Sequence, residues 1–264
     1  MRFFAVFLFV TALVAPRAAA AQGLSYTWAD TLSPEKVDQL LNGFAQAAQA
    51  DPASFEMREK AALFSFYAWR LEKKDNRRRL NLATLTVRFG KEMIALAPNR
   101  AEGHHWLGAG LGLIGLTRGV LNSLQLVPQL REQLEKSIAL DPDYLEGNAQ
   151  ASLGRVYTVL PAFPLSIGSK EKALSYLVEA RKRGANFTLT TLYIGDVLWA
   201  YGRNDEAVAE LEKIAAMKPK TEPEYFLYEV NRKKAEELIK LIRSGVPRDP
   251  FIDVLSDIQP GLVN

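Results

Sequence analysis

After Ser33-Pro34-Glu35 the apolar residues Val37, Leu40, Leu41 and Phe44 recur at three- and four-residue spacing, which places them on one face of a helix. The preceding triplet is a helix start: a capping hydroxyl, a proline where no N–H is needed, and an acid at the positive end. This helix ends near Asp51-Pro52. The same periodicity predicts helices over residues 55–74, 80–96, 101–116, 128–140, 145–159, 170–183, 190–201, 205–217 and 224–243. No segment alternates with the period of two that a half-buried strand requires. Prolines 247, 250 and 260 predict that residues 244–264 form an extended tail, lying along the surface or hanging free.

Helices joined by short turns prompt a search for a repeat. The helix-ending prolines Pro52, Pro98, Pro142 and Pro219 are 46, 44 and 77 residues apart, the last interval being close to twice a helix-pair period of about 38. The clearest unit is residues 188–221, where Gly195 precedes Ala207 by 12 residues and Ala207 precedes Pro219 by 12. The small Gly195 and Ala207 let two helices lie close, Gly202 and Arg203-Asn204-Asp205 supply the turn and N-cap, and Ile194, Leu198, Leu211 and Ile214 fill the seam.

At these residues the chain resembles the tetratricopeptide repeat (TPR): Leu192-Tyr193-Ile194-Gly195, Tyr201-Gly202, Asp205-Glu206-Ala207 and Lys218-Pro219 stand where that motif has its hydrophobic-glycine pair, turn, alanine and terminal proline. Two further units run from Trp106-Leu107-Gly108 to Asp141-Pro142 and from Leu153-Gly154 through Lys172-Ala173-Leu174. From Gly108 to Leu130 is 22 residues and from Gly154 to Ala173 is 19, against 12 in the clean unit, so these two carry insertions of about ten and seven residues. The resemblance implies an all-α, TPR-like helical solenoid of about four enlarged antiparallel helix pairs over residues 34–243. The Pro161-Ala162-Phe163-Pro164 loop, followed by Gly168-Ser169-Lys170-Glu171-Lys172-Ala173, narrows the likeness. Over residues 101–217 the chain resembles the T-component proteins of TRAP-type solute transporters, and also the repeat region of regulator-of-microtubule-dynamics proteins.

Composition adds an address. Residues 1–21 contain Arg2, an apolar run from Phe3 to Val14 and the small-residue ending Ala19-Ala20-Ala21, the layout of a secretory signal peptide, with residues 22–33 as a linker behind it. An uncleaved anchor is the competing reading, disfavoured because the run is short for a bilayer span. The leader holds two of the 33 basic residues and no acid, so the remaining 31 basic side chains nearly balance 30 acidic ones. That balance, with export, argues against a nucleic-acid partner. There is no cysteine, hence no disulfide framework and no lipid-carrying cysteine. A periplasmic or secreted bacterial protein is expected, without a further membrane span.

Candidate chemistry is sparse. His104 and His105 are the only histidines; adjacent on a helix, they point about 100° apart and cannot chelate one ion from one face, so no metal or cofactor is expected. His104 is expected to pack beside Trp106 and His105 to face a groove. Gly108, Gly110 and Gly112 imitate a phosphate loop but lie inside a helix pattern, where close packing accounts for them. Arg70, Lys73, Lys74, Arg77, Arg78 and Arg79 read as a solvated junction meeting Glu72 and Asp75, or as a patch for an acidic partner or anionic headgroups. Asp196 and Glu102 are the acids an acid–base pair would use.

In a solenoid the first helix of each pair lines the concave surface. Alignment on Gly108, Gly154 and Gly195 places Glu102, His105, Asn148, Arg155, Thr158, Leu192, Asp196 and Trp199 there, with Arg155 and Asp196 side by side as a salt bridge at a partly open groove. The function read from this is an exported, non-enzymatic TPR scaffold for a protein or peptide partner, an accessory to periplasmic solute uptake whose partner is a solute-binding protein. The alternative is a carrier of a small apolar ligand or organic acid, closed by inserted loops 117–127 and 160–168; a hydrolytic enzyme is third. Oligomerisation, and whether the tail covers the groove, stay open at this level.

Overall fold

Ser33 Oγ accepts the Lys36 N–H at 3.3 Å and Pro34 occupies the first turn, so α1 (Pro34–Ala50) begins where its sequence predicts. Ser54 caps α2 (Phe55–Leu71) in the same way. The computed structural model describes residues 24–219 and 222–248, and within them the chain continues through α3 (Asn76–Leu96), α4 (Ala101–Arg118), α5 (Val127–Leu140), α6 (Asn148–Val159), α7 (Lys170–Arg183), α8 (Thr188–Ala200), α9 (Asn204–Glu212) and α10 (Glu222–Arg243). Four antiparallel pairs result, α2/α3, α4/α5, α6/α7 and α8/α9, with α1 and α10 flanking them. This is the expected all-α, TPR-like solenoid, and its only sheet-like feature among the described residues is an isolated bridge between Ala162 and Gly168.

One contact repeats along it. A Cβ on Gly108 would lie 2.8 Å from Leu134, one on Gly154 2.6 Å from Leu177, and one on Gly195 2.6 Å from Leu211. Each leucine stands four residues after the position aligned with Ala207, namely Leu130, Ala173 and Ala207 itself. The partner of the glycine is thus the leucine one helical turn beyond the alanine, because side chains i and i+4 share a face. The glycine lets the second helix seat its leucine against backbone, and all three leucines are buried.

Several boundaries differ from the periodic reading. α3 starts four residues early because Asp75 Oδ1 accepts the Arg78 N–H at 3.0 Å, a cap that pulls the basic stretch into the helix. α6 starts three residues late because Leu145, Glu146 and Gly147 all have positive φ (46°, 55° and 77°), which no right-handed helix accepts. α9 begins within the expected Arg203-Asn204-Asp205 turn, with Arg203 at its N-cap and no side-chain cap bond. The stretch expected as a linker is docked where described: Tyr26 packs edge-on against Phe64 at 4.9 Å, and Leu24 lies over Gly43. The leader, residues 1–21, and most of the tail lie outside the described residues.

Half of the basic run is engaged within the fold, while Lys73, Lys74 and Arg77 are exposed. Arg70 is 3% exposed and donates to Asn231 of α10 at 2.7 Å; Arg78 bonds Asp38 at 2.6 Å and Glu72 at 3.1 Å; Arg79 lies 4.1 Å over the Trp69 ring. Arg70 matters most for the fold. Asn231, fully buried, also donates to Thr188 at 3.0 Å, and Phe226 stacks 4.0 Å from Tyr67, so α10 ties the last helix pair to the first.

The glycine–leucine seam sets the first prediction. Gly195→Val is expected to lower unfolding free energy by about 1–3 kcal/mol, since Leu211 is too confined to yield. Urea denaturation followed by helical circular dichroism measures this, and an unchanged midpoint contradicts the close approach.

Candidate functional site

Asp196 is the only charged residue of α8, and its side chain is wholly buried. Arg155 of α6 meets it as the repeat alignment requires, so the expected ion pair forms. Its setting differs from expectation: the Arg155 side chain is 5% exposed, and a second guanidinium, that of Arg248, forks onto the same carboxylate, with Nη2 3.0 Å from Oδ2. Arg248 also stands 5.8 Å over the Trp199 ring, and Arg155 5.5 Å over Tyr193. The groove expected to be partly open is closed here by the start of the tail. A surface-pair energy of a few tenths of a kcal/mol therefore does not apply; a carboxylate shared by two buried cations costs several kcal/mol to remove.

The other aligned residues divide. Leu192 and Trp199 are buried core, and Thr158 donates to the Gly154 carbonyl of its own helix at 2.8 Å. Glu102 is engaged by Arg100, so it and Asp196 answer to different cations and do not form an acid–base pair. His105 is 1% exposed and edge-on to Trp106 and Tyr144, and the space it borders is a buried cavity rather than an open concave surface. Burial without a counter-charge holds its imidazole neutral, pushing the pKa down to about 4. His104 is buried with both ring nitrogens engaged, 2.7 Å from Gln133 Oε1 and 2.9 Å from the Pro98 carbonyl. Beneath His105 a polar chain crosses between pairs: Trp106 Nε1–H donates to Tyr144 Oη at 3.0 Å, and Tyr144 donates to Glu59 at 2.7 Å. Burial raises the pKa of Glu59, against the lowering effect of that bond.

His105, Asn148 and Arg155 come together on the wall of a cavity of about 120 Å³ between α4, α5, α6 and α8, with Phe66 of α2 also on its wall, roofed by the 3₁₀ segment Leu121–Leu126 from the first insertion. The second insertion contributes only Leu160; its remaining residues close on themselves, Gly168 N–H reaching the Pro161 carbonyl at 2.8 Å. Thr158, Leu192, Asp196 and Trp199 do not line this cavity. Sequence reasoning missed Arg248, a single cation between prolines, and the lining residues of the insertion, such as Ser123. Among the described residues no three His, Asp or Glu side chains gather as metal ligands would, and no helix is long and apolar enough to cross a membrane.

Stacked antiparallel pairs with a recurrent glycine–leucine seam define the chain as a TPR-like helical protein. One solved structure shares this fold. The structure of TTC0263, described as a thermophilic TPR protein in Thermus thermophilus, superposes with a TM-score of 0.56 at 18% identity, covering 78% of this chain and 98% of that one. MamA superposes with a TM-score of 0.42 at 19% identity, covering 80% and 98% respectively. Residues 26–155 match the family model described as regulator of microtubule dynamics protein 1-3, further towards the amino end than the 101–217 over which the sequence resembles that family. No curated protein matches the chain.

The buried charges set two more expectations. Asp196→Asn is expected to cost about 3–5 kcal/mol, because it removes the carboxylate two buried guanidiniums share. Arg248→Ala is expected to cost less, since Arg155 stays in place; equal losses in chemical denaturation contradict the shared arrangement. For His105, the unfolded chain takes up a proton as pH falls through about 6.5 while the folded chain resists until about 4. The unfolded state then binds more protons, and stability falls by roughly 3 kcal/mol between those values. His105→Phe is expected to remove this part of the pH dependence, read as the difference in unfolding free energy between pH 7 and pH 4.5 for the two proteins.

Proposed function

We propose that this protein is an exported, non-enzymatic interaction scaffold that takes an extended protein segment along α8, at the place its own residues 246–248 occupy. The observation that carries this reading is Arg248: an arginine from non-helical chain is forked onto a buried carboxylate and set over an indole. An arginine from another polypeptide satisfies the same geometry, because the guanidinium fork and the carboxylate match in plane and spacing. Extended segments lying against repeat helices are also what this architecture's concave surfaces accommodate. The engagement of Asp196 and Glu102 by separate cations supports a binding role over hydrolysis. The signal-peptide pattern of residues 1–21 supports export to the periplasm, and the T-component resemblance makes a periplasmic solute-binding protein the partner to test first.

The test uses a chain ending at Ser244 and a synthetic peptide of residues 245–251. Saturable quenching of tryptophan fluorescence is expected, and its loss when arginine in the peptide is replaced by alanine. If the peptide does not bind, the contact is core packing and the reading fails. Export is checked separately by sequencing the amino terminus of the secreted product, expected to begin at Gln22.

A further inference from the structure

The glycines of α4 fall into two groups. A Cβ on Gly103 would meet Ile94 at 2.9 Å, one on Gly110 would meet Val87 at 2.8 Å, and Gly108 is pressed by Leu134. Close packing therefore explains three of them. It does not explain Gly112 and Gly115, whose nearest neighbours would be 3.6 and 3.7 Å away, ordinary contact distances. Each glycine in a helix interior costs about 1 kcal/mol relative to alanine, so two without a packing reason need another. Both lie on the cavity wall together with Gly108 and Ala109, and the positions 108, 112 and 115 follow one another along a single helix face. From His105 to Gly115 the wall runs about 15 Å. The cavity is thus a narrow slot over a strip of backbone.

Its polar groups sit at its ends. His105 lines the amino end of the strip, and its Nδ1 is buried without a hydrogen-bond partner. Asn148 and Ser152 of α6 line the slot as well, and Asn148 is aligned one turn before His105 in the repeat. At the far end Ser123, 3.7 Å from the Cβ that Gly115 lacks, carries a second buried and unpartnered hydroxyl. Between them the walls are Leu126, Leu130, Val156 and Val159. Buried polar atoms are nearly always paired, so an orphan imidazole nitrogen on an apolar cavity points to an absent partner.

We infer that the slot binds an uncharged medium-chain amphiphile, its hydroxyl or amide turned to the His105 imidazole and its alkyl chain running from there along Gly108 and Gly112 towards Gly115. The volume sets the size: about 120 Å³ is a little less than the ~150 Å³ that accepts a benzene ring, so the enclosed part of the ligand has about five or six heavy atoms, any further methylene reaching the mouth. The shape selects a chain over a ring. Charge is selected against, since the imidazole is neutral and the nearby Arg155 guanidinium is held by Asp196. The two insertions carry the most exposed large apolar side chains among the described residues, Phe163 at 88%, Leu165 at 74% and Leu121 at 56%, and each insertion reaches the slot through a neighbouring residue, Leu160 or Val120. This site shares Arg155 and one face of α8 with the Arg248 contact but includes neither Asp196 nor Arg248, and it goes beyond the scaffold reading.

The experiment titrates the full mature chain with linear alcohols from butanol to heptanol, following tryptophan fluorescence, to which the slot-lining Trp106 contributes. Saturable binding is expected, tightening about fourfold per methylene until the slot is full. Gly112→Leu, whose side chain enters the slot without a backbone clash, is expected to weaken hexanol at least about tenfold while the helical signal stays unchanged. Should that variant not fold, Ser123→Leu serves in its place. His105→Phe is expected to weaken hexanol but not hexane, which reads the polar end alone. Phenol binding as tightly as hexanol overturns the choice of a chain, and hexanoate binding more tightly overturns the uncharged head. Absence of saturable hexanol binding overturns the site. Arg248→Ala is expected to leave hexanol binding as it is, so failure here is distinguishable from failure of the scaffold reading.

Discussion

Every residue from Thr188 to Trp199 is buried, so α8 must be enclosed on all sides, and its one charge, Asp196, must be neutralised inside the enclosure. That requirement organises the molecule. A buried carboxylate is tolerated only when cations and hydrogen bonds replace its water. Arg155 arrives from the repeat before α8 and Arg248 from the chain after α10, so one oxygen pair holds together segments 93 residues apart in sequence. The apolar remainder of α8 is covered by α9 through the Gly195–Leu211 contact, and its amino end is met by α10 through Asn231.

The same requirement explains why a solenoid pattern ends in a closed structure. A row of helix pairs leaves the inner faces of its first helices exposed unless a partner or another element covers them. Here those faces carry Phe64, Tyr67, Leu192 and Trp199, too apolar to stand in water. α10 covers part of them and reaches α2, where Phe226 meets Tyr67 and Asn231 meets Arg70. The arginine that reads in the sequence as part of a surface run is thereby the polar contact joining the two ends of the row.

The repeat was legible because its signal is local. Gly108, Gly154 and Gly195 mark the same place in three helices, and helix-ending prolines mark the same place after the first and third of these units, so the pairing of helices and the Arg155–Asp196 contact could be read by counting. Burial could not. Whether Asp196 faces water depends on where α10 and residue 248 go, and neither carries a local marker: Arg248 is one cation between two prolines, and α10 reads as any amphipathic helix. The start of α6 escapes the periodic pattern for a different reason. Leu145 and Glu146 adopt left-handed conformations that their side chains do not favour, so tertiary contacts, among them Leu145 with the core and Glu146 with Gly184, hold them there.

The insertions show how an addition to a repeat creates a space the parent unit lacks. In the α8/α9 pair, where the glycine-to-alanine interval is 12 residues, the second helix follows directly and its leucine closes the seam. In the α4/α5 pair ten further residues precede the equivalent position; about half of them carry α4 on to Arg118, and the rest form the connection that holds the 3₁₀ segment Leu121–Leu126. That segment spans the glycine strip without filling it, because Gly112 and Gly115 offer no side chain for Leu130 and Ser123 to pack upon closely. Two methyl groups on α4 would take up part of the gap and also favour its helix. Glycine at both positions therefore sets the open slot, and not the stability of α4, as the property this part of the sequence serves.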